Sequence, residues 1–266
     1  FMMLDPTWAP FSRELWSTAE QEQQYLIGTP QGETLMTTPY SPPEENFTRI
    51  KAETGIAASG DLASEVTVLS GGYAETGLRR WFVYTPKTDL AAIFAGIMSK
   101  ISQSAMLSSF ELIGLKDLDK AFKMKFSYGS GKFAMLGNDG GILKFPLSTH
   151  IFADNKRLAG YLPASELKER KHPLRLICTF LYEVEENIKL PDGYTFAALP
   201  ENVAINGKIA SFEAEFKGKN GVITLKYKLA VKKRFIKPDE YVDFKAAVDG
   251  MRALAKETVL LKKVKK

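Results

Sequence analysis

From Asn46 onward the chain is dominated by alternation of apolar and polar residues. Arg49, Lys51 and Glu53 alternate with Ile50, Ala52 and Thr54, and Gly60-Asp61 then marks a turn before a second alternating run at 62–69. The same period predicts strands at 108–113, 121–128, 132–136 and 142–147, the last two flanking the turn sequence Gly137-Asn138-Asp139-Gly140-Gly141. Leu174, Leu176, Cys178, Phe180, Tyr182 and Val184 share one face of a further strand. A hairpin follows at 209–216 and 222–232 around Gly218-Lys219-Asn220-Gly221. It places Phe212, Ala214 and Phe216 on the face of Ile223, Leu225, Tyr227 and Leu229. Either of two registers keeps Glu213 and Glu215 on the face of Lys226 and Lys228. A final strand is predicted at 259–264.

Helical spacing is rarer. Leu90, Ile93, Phe94, Ile97, Met98 and Ile101 predict a helix over 86–102, with Thr85 as cap and Pro86 in the first turn. Ser17 and Glu20 form a capping box that predicts a helix to about Leu26, closed by Gly28. Pro238-Asp239-Glu240 opens a third helix, to about Ala255. Residues 28–46 are rich in Gly, Thr, Pro and Ser and read as a linker. The order strand, turn, strand, helix occurs twice, over 46–102 and 209–255, without residue-level similarity between the copies.

These elements show no βαβ rhythm. The expected fold class is α+β, predominantly antiparallel β, with β-sandwich-like units and a few packed helices. Three segments are expected, 1–40, 41–190 and 191–266, and the last two can form one domain. With 266 residues, 45% apolar and 25% charged, the composition is that of a globular protein and excludes a disordered or collagen-like chain. No apolar run approaches the roughly 18 residues of a membrane helix, so no membrane span is expected.

The net charge of +5 is uneven. Residues 201–266 carry 16 Lys+Arg against 8 Asp+Glu, whereas residues 1–200 carry a small negative excess. A basic C-terminal sheet can hold anions, but Lys226 and Lys228 can equally sit opposite Glu213 and Glu215. No aromatic platform is interleaved with the lysines, so nucleic acid is disfavoured as a partner.

Candidate chemistry is sparse. One cysteine, Cys178, and two histidines, His150 and His172, exclude an internal disulfide and a paired zinc site, and no cofactor or metal is expected. Cys178 lies between Leu176 and Phe180 on an apolar face, the setting of an inert buried thiol. Gly129-Ser130-Gly131-Lys132-Phe133-Ala134 matches a dinucleotide fingerprint in letters, but another turn arrives too soon for the required helix, so it reads as a loop between strands. Asp139 lacks the spaced oxygen ligands of a calcium loop. Asn46-Phe47-Thr48 is a formal glycosylation sequon.

Phe1-Met2-Met3-Leu4-Asp5-Pro6-Thr7-Trp8 resembles the closing motif of the transglutaminase-like, papain-related catalytic core, and Arg13-Glu14-Leu15-Trp16-Ser17 resembles a bacterial subgroup that flanks this core with β-rich domains of unknown function. Leu190-Pro191-Asp192-Gly193-Tyr194, Leu199-Pro200-Glu201-Asn202-Val203 and Pro238-Asp239-Glu240-Tyr241 are similar to the last of those domains. The resemblance implies that residues 1–40 are the tail of such a core plus a linker, and that Asp5 is the orienting carboxylate of a Cys-His-Asp triad. Cys and His precede the Asp in that family. Only four residues precede Asp5 here, none of them Cys or His, so the isolated chain is expected to be inactive and its partner to be the upstream catalytic segment of the same parent protein. No signal peptide is read at the N-terminus, and the chain reads as cut from something longer. The resemblance implies a periplasmic or extracellular location for the parent. The alternative is a non-catalytic module binding protein or glycan, through an exposed aromatic cluster on a sheet face that includes Trp81 or Tyr84.

Overall fold

The computed structural model describes residues 18–149 and 164–264. The first described segment, Thr18–Glu20, is a single 3-10 turn leading into β1 (Gln24–Tyr25), which pairs antiparallel with β2 (Met36–Thr37). The helix expected over 17–26 is not formed there. Thr38 takes up the backbone groups that a helix would use: its carbonyl accepts from the Glu22 amide, its amide donates to the Gln23 carbonyl, and its hydroxyl bonds the Glu20 carbonyl. Glu22 adopts a left-handed φ of 52°, which ends helical continuation. Part of the expected linker is thus the return arm of a small hairpin.

β3 (Phe47–Ile56) and β4 (Leu62–Ser70) form the expected antiparallel pair, followed by α1 (Gly72–Tyr84), α2 (Leu90–Ile101), β5 (Ala105–Ile113), β6 (Lys123–Ser130), and the short strands β7 (Met135–Leu136) and β8 (Gly140–Lys144). After a 3-10 turn at Pro146–Thr149, the second described stretch holds β9 (Leu174–Arg175), β10 (Phe180–Lys189), β11 (Tyr194–Ala198), β12 (Val203–Asn206), β13 (Ala210–Lys219), β14 (Val222–Val231), β15 (Phe235–Ile236), α3 (Tyr241–Leu254) and β16 (Thr258–Lys263).

Eight strands make one sheet in the order β12-β13-β14-β10-β3-β4-β6-β5. Every neighbouring pair is antiparallel except β10 and β3, whose parallel joint unites two four-stranded halves. A second sheet has the order β11-β16-β8-β7. The fold is therefore α+β and mostly antiparallel. Alternation buries one face: Ile50, Ala52, Val66, Val68, Met124, Phe126, Val184, Ile223, Leu225 and Leu229 are each 3% exposed or less. α1 covers this face at β3 and β4, α2 at β5, and α3 at β12, β13 and β14.

The sequence pattern missed α1. Trp81-Phe82-Val83-Tyr84 has strand-forming composition, and Gly71-Gly72 opens the element without a side-chain cap. Tertiary burial holds the helix instead, through Ala74, Leu78 and Phe82 at four-residue spacing. Thr85 consequently ends α1 rather than starting α2, which begins after a short 3-10 turn at Lys87–Asp89. Gly71 leaves room for the Phe47 ring, since a Cβ there would come within 2.3 Å of it and force the ring to shift. The run at 174–184 is divided into β9 and β10, with Cys178 in the buried bend between them.

Candidate functional site

Asp5 and His150 lie outside the described residues. His172 is exposed in a bend, and Cys178, in the bend between β9 and β10, is fully buried in the core with Leu176 and Phe180. The dinucleotide-like glycines close β6: Lys132 takes a left-handed φ of 49° and its amide donates to Asp61, so no helix follows. Asn46 of the sequon is buried. Its side chain accepts from the Tyr73 amide and donates to the Thr179 hydroxyl, which makes it a structural joint between α1 and β10.

The segment that follows the Asp-Pro-Thr-Trp motif is fixed to the C-terminal half of the chain. Arg234, 3% exposed, donates through Nη1 to the carbonyls of Thr18 (2.6 Å) and Gln21 (3.2 Å), and its Nε lies 3.4 Å from the Glu22 carboxylate. Burial and neighbouring Arg175 lower the Arg234 pKa, and Glu22 opposes that shift. Thr18 and Gln21 are themselves buried, and the Gln21 side chain bonds Ser41.

A cleft of about 850 Å³ opens between α1 and α2, lined by Tyr73, Trp81, Tyr84, Arg80, Asp89 and Ile93 among others. Trp81 stacks on Phe82 at 5.2 Å, so the cleft wall is anchored in the core. Trp81 and Tyr84 therefore lie on a helix, not on the sheet face where an aromatic cluster was expected. Burial raises the pKa of the Tyr73 hydroxyl, with a smaller contribution from Cys178.

The open face of the large sheet carries charge in two rows of alternating sign. Arg49, Glu183, Lys228 and Glu213 are successive partners across β3, β10, β14 and β13, and Lys51, Glu185, Lys226 and Glu215 form the next row. Of the two registers left open by the sequence, the one formed pairs Glu213 with Lys228 and Glu215 with Lys226, on the shared face that was expected. The shorter contacts run to β10, with Lys226 at 3.2 Å from Glu185 and Lys228 at 4.0 Å from Glu183. A trough of about 560 Å³ follows these rows.

The opposite, buried face holds a carboxyl that the sequence reading passed over. Glu186 is fully buried; its Oε1 accepts from the Thr54 hydroxyl at 2.9 Å and its Oε2 from the Leu147 amide at 3.1 Å. Burial pushes its pKa up to about 7 against the lowering effect of those two bonds. The signal was present in the sequence: Tyr182 and Val184 set the inward parity of β10, and Glu186 continues it.

Among the described residues no group of three His, Cys, Asp or Glu is placed to hold a metal ion, and no helix is long and apolar enough to cross a membrane. Residues 147–261 match the family model of DUF3858, described as a domain of unknown function with a solved structure. No curated protein matches the chain. A solved protease candidate from Parabacteroides distasonis is similar over 48% of this chain and 24% of its own, with 16% identity and a TM-score of 0.40. An M1 zinc metallopeptidase from Deinococcus radiodurans is similar over 82% of this chain and 41% of its own, with 8% identity and a TM-score of 0.23. The chain thus spans less than half the length of either protein, and neither likeness bears on what it does.

Proposed function

We propose that this chain is the C-terminal part of a transglutaminase-like protein, in which Asp5 orients the histidine of a triad completed by upstream Cys and His, and the β-rich region supports the end of the catalytic core. The family resemblance of residues 1–8 motivates the role of Asp5. The support role is carried by one observation: buried Arg234 grips the backbone at Thr18 and Gln21, thirteen residues beyond Asp5 at the nearest. A carboxylate that must hold an imidazole tautomer needs a fixed backbone, and an anchored exit segment supplies one. Cys178 takes no part, since the core encloses it.

The test uses the full-length parent. Asp5→Ala should lower amide hydrolysis or amine incorporation by about 10²- to 10⁴-fold, the scale for loss of an orienting carboxylate. Arg234→Met should speed limited proteolysis within residues 18–40. Unchanged turnover in Asp5→Ala, or a parent with no Cys and later His upstream of Phe1, would remove the triad role. Unchanged proteolysis in Arg234→Met would remove the support role.

The cleft between α1 and α2 favours a second reading, a non-catalytic module that holds a glycan or protein segment. Tyr73, Trp81 and Tyr84 offer ring faces, and Arg80 and Asp89 offer hydrogen bonds beside them. Titration of the 266-residue chain with oligosaccharides and with peptides, followed by tryptophan fluorescence against Trp81→Phe, decides it. Saturable quenching that the substitution removes supports this reading, and a flat response dismisses it.

A further inference from the structure

We propose that Glu186 latches the Pro146–Thr149 turn to the sheet in its neutral form and releases that turn when it ionises. Both backbone groups of Leu147 are held by side chains from the sheet. Its amide donates to Glu186 of β10, and its carbonyl accepts from the Tyr227 hydroxyl of β14 at 2.8 Å. Phe145, Leu147 and Ser148 are buried, so the turn is a plug seated over the carboxyl. The latch is independent of the catalytic reading above.

The hydroxyls around Glu186 satisfy it in the neutral state. Thr54 Oγ1 lies 2.9 Å from Glu186 Oε1 and 2.9 Å from Ser64 Oγ. A protonated Oε1 donates to Thr54, which then donates to Ser64, while the other carboxyl oxygen still accepts from Leu147. Ionisation reverses the hydroxyl chain and leaves a full charge in the core. The titratable groups facing that charge are tyrosines: Tyr227 on β14, with Tyr182 beside it on β10, and Tyr128 on β6 next to Ser64. None of these hydroxyls carries a positive charge to offset the anion, and Glu186 in turn raises the pKa of Tyr128 and Tyr227. The Thr54 and Leu147 bonds come from uncharged groups, and α2, which also packs on the turn, carries one charged side chain, the exposed Lys100. No cation among these elements compensates the anion. Opening the turn lets water reach the carboxyl, which gives its proton to solvent, and this becomes progressively favoured as pH rises.

Native-state hydrogen exchange tests the latch. After correction for intrinsic rates, protection of the Leu147 amide should fall by on the order of 10²-fold between pH 5 and pH 8. Protection of the Thr38 amide, which bonds Gln23 in the hairpin of β1 and β2, should stay flat. In Glu186→Gln the amide side chain keeps both bonds without a titratable proton, so the fall should vanish. Protection of Leu147 that is flat or rises with pH overturns the latch, as does a fall that survives in Glu186→Gln. If that variant does not fold, carboxyl carbon NMR of the wild-type chain decides. Titration of Glu186 near pH 7 in step with Leu147 exchange supports the latch, and titration in the ordinary glutamate range overturns it.

Discussion

Arg79 is the side chain with the most to lose at the scale of a single residue. It has no exposed surface, yet it carries a full charge. Glu75 one turn earlier on α1 accepts its Nε and Nη2 at 2.9 and 2.7 Å, and the same Glu75 oxygen accepts from the Phe122 amide. The remaining guanidinium hydrogens go to the carbonyls of Gly114, Leu115, Asp117 and Lys120. One ion pair therefore organises the whole loop between β5 and β6. Arg79→Ala leaves the Glu75 carboxylate without its countercharge and four carbonyls without the guanidinium in a dry site, so denaturant unfolding should show a loss of about 3–5 kcal/mol. Arg79→Met with Glu75→Leu should recover part of that loss, because it removes both charges together. Neither residue was legible as a pair in the sequence. Glu and Arg four apart occur on many solvated helices, and only the packing of α1 turns this pair inward. Glu186 shows the opposite case, since its inward parity was written in β10 and only its consequence required the fold.

Elements formed where one period dominated and failed to announce themselves where tertiary contacts overrode local preference. β3, β4, β6, β13, β14 and α3 follow the sequence pattern closely because each pairs a clean period with a turn or cap. α1 hid behind its strand-like end, and the first 3-10 turn replaced a helix because Thr38 reached its backbone groups. Of the sites, the cleft was half legible: Trp81 and Tyr84 were noticed, but not the helix that presents them. The hairpin of β13 and β14 gives this scale its prediction. The register pairs Lys219 with Val222, so Asn220-Gly221 is a two-residue turn with φ of 53° and 73°. That backbone suits Gly and tolerates Asn. Gly221→Val should cost about 1–2 kcal/mol through its left-handed conformation, although a Cβ there meets no atom within 4 Å. Thermal unfolding of Gly221→Val beside Gly218→Ala separates backbone strain from crowding, since only the Gly218 Cβ would meet the Phe196 ring.

The whole molecule sums two opposed sets of carboxyls in its response to pH. Asp61, Asp117 and Glu240 are held below their ordinary range, chiefly by the Lys132 amide, by Lys120 and by Lys233 respectively. Each contributes stability that is present above its unfolded pKa and is lost as pH falls through the folded one, so they govern the acid limb. Asp61 is exposed and Asp117 and Glu240 are half-buried at the surface, so salt weakens their share. Glu186 acts in the other direction. Its folded pKa of about 7 lies above the unfolded value of 4.5, so the folded state binds the extra proton between those two values. Stability from this group is complete below about pH 4.5, declines through the interval and levels off above pH 7. The full interval corresponds to about 3 kcal/mol as an upper bound, because release of the latched turn relieves part of the cost without global unfolding. The stability curve should therefore peak near pH 5, on the acid side of neutrality, and slope downward to pH 8. Urea unfolding at half-unit steps from pH 4 to pH 8 should show that slope in the wild-type chain and lose it in Glu186→Gln, with the acid limb unchanged. A curve that rises from pH 5 to pH 7 would assign the neutral limb to another group and return Glu186 to an ordinary carboxylate.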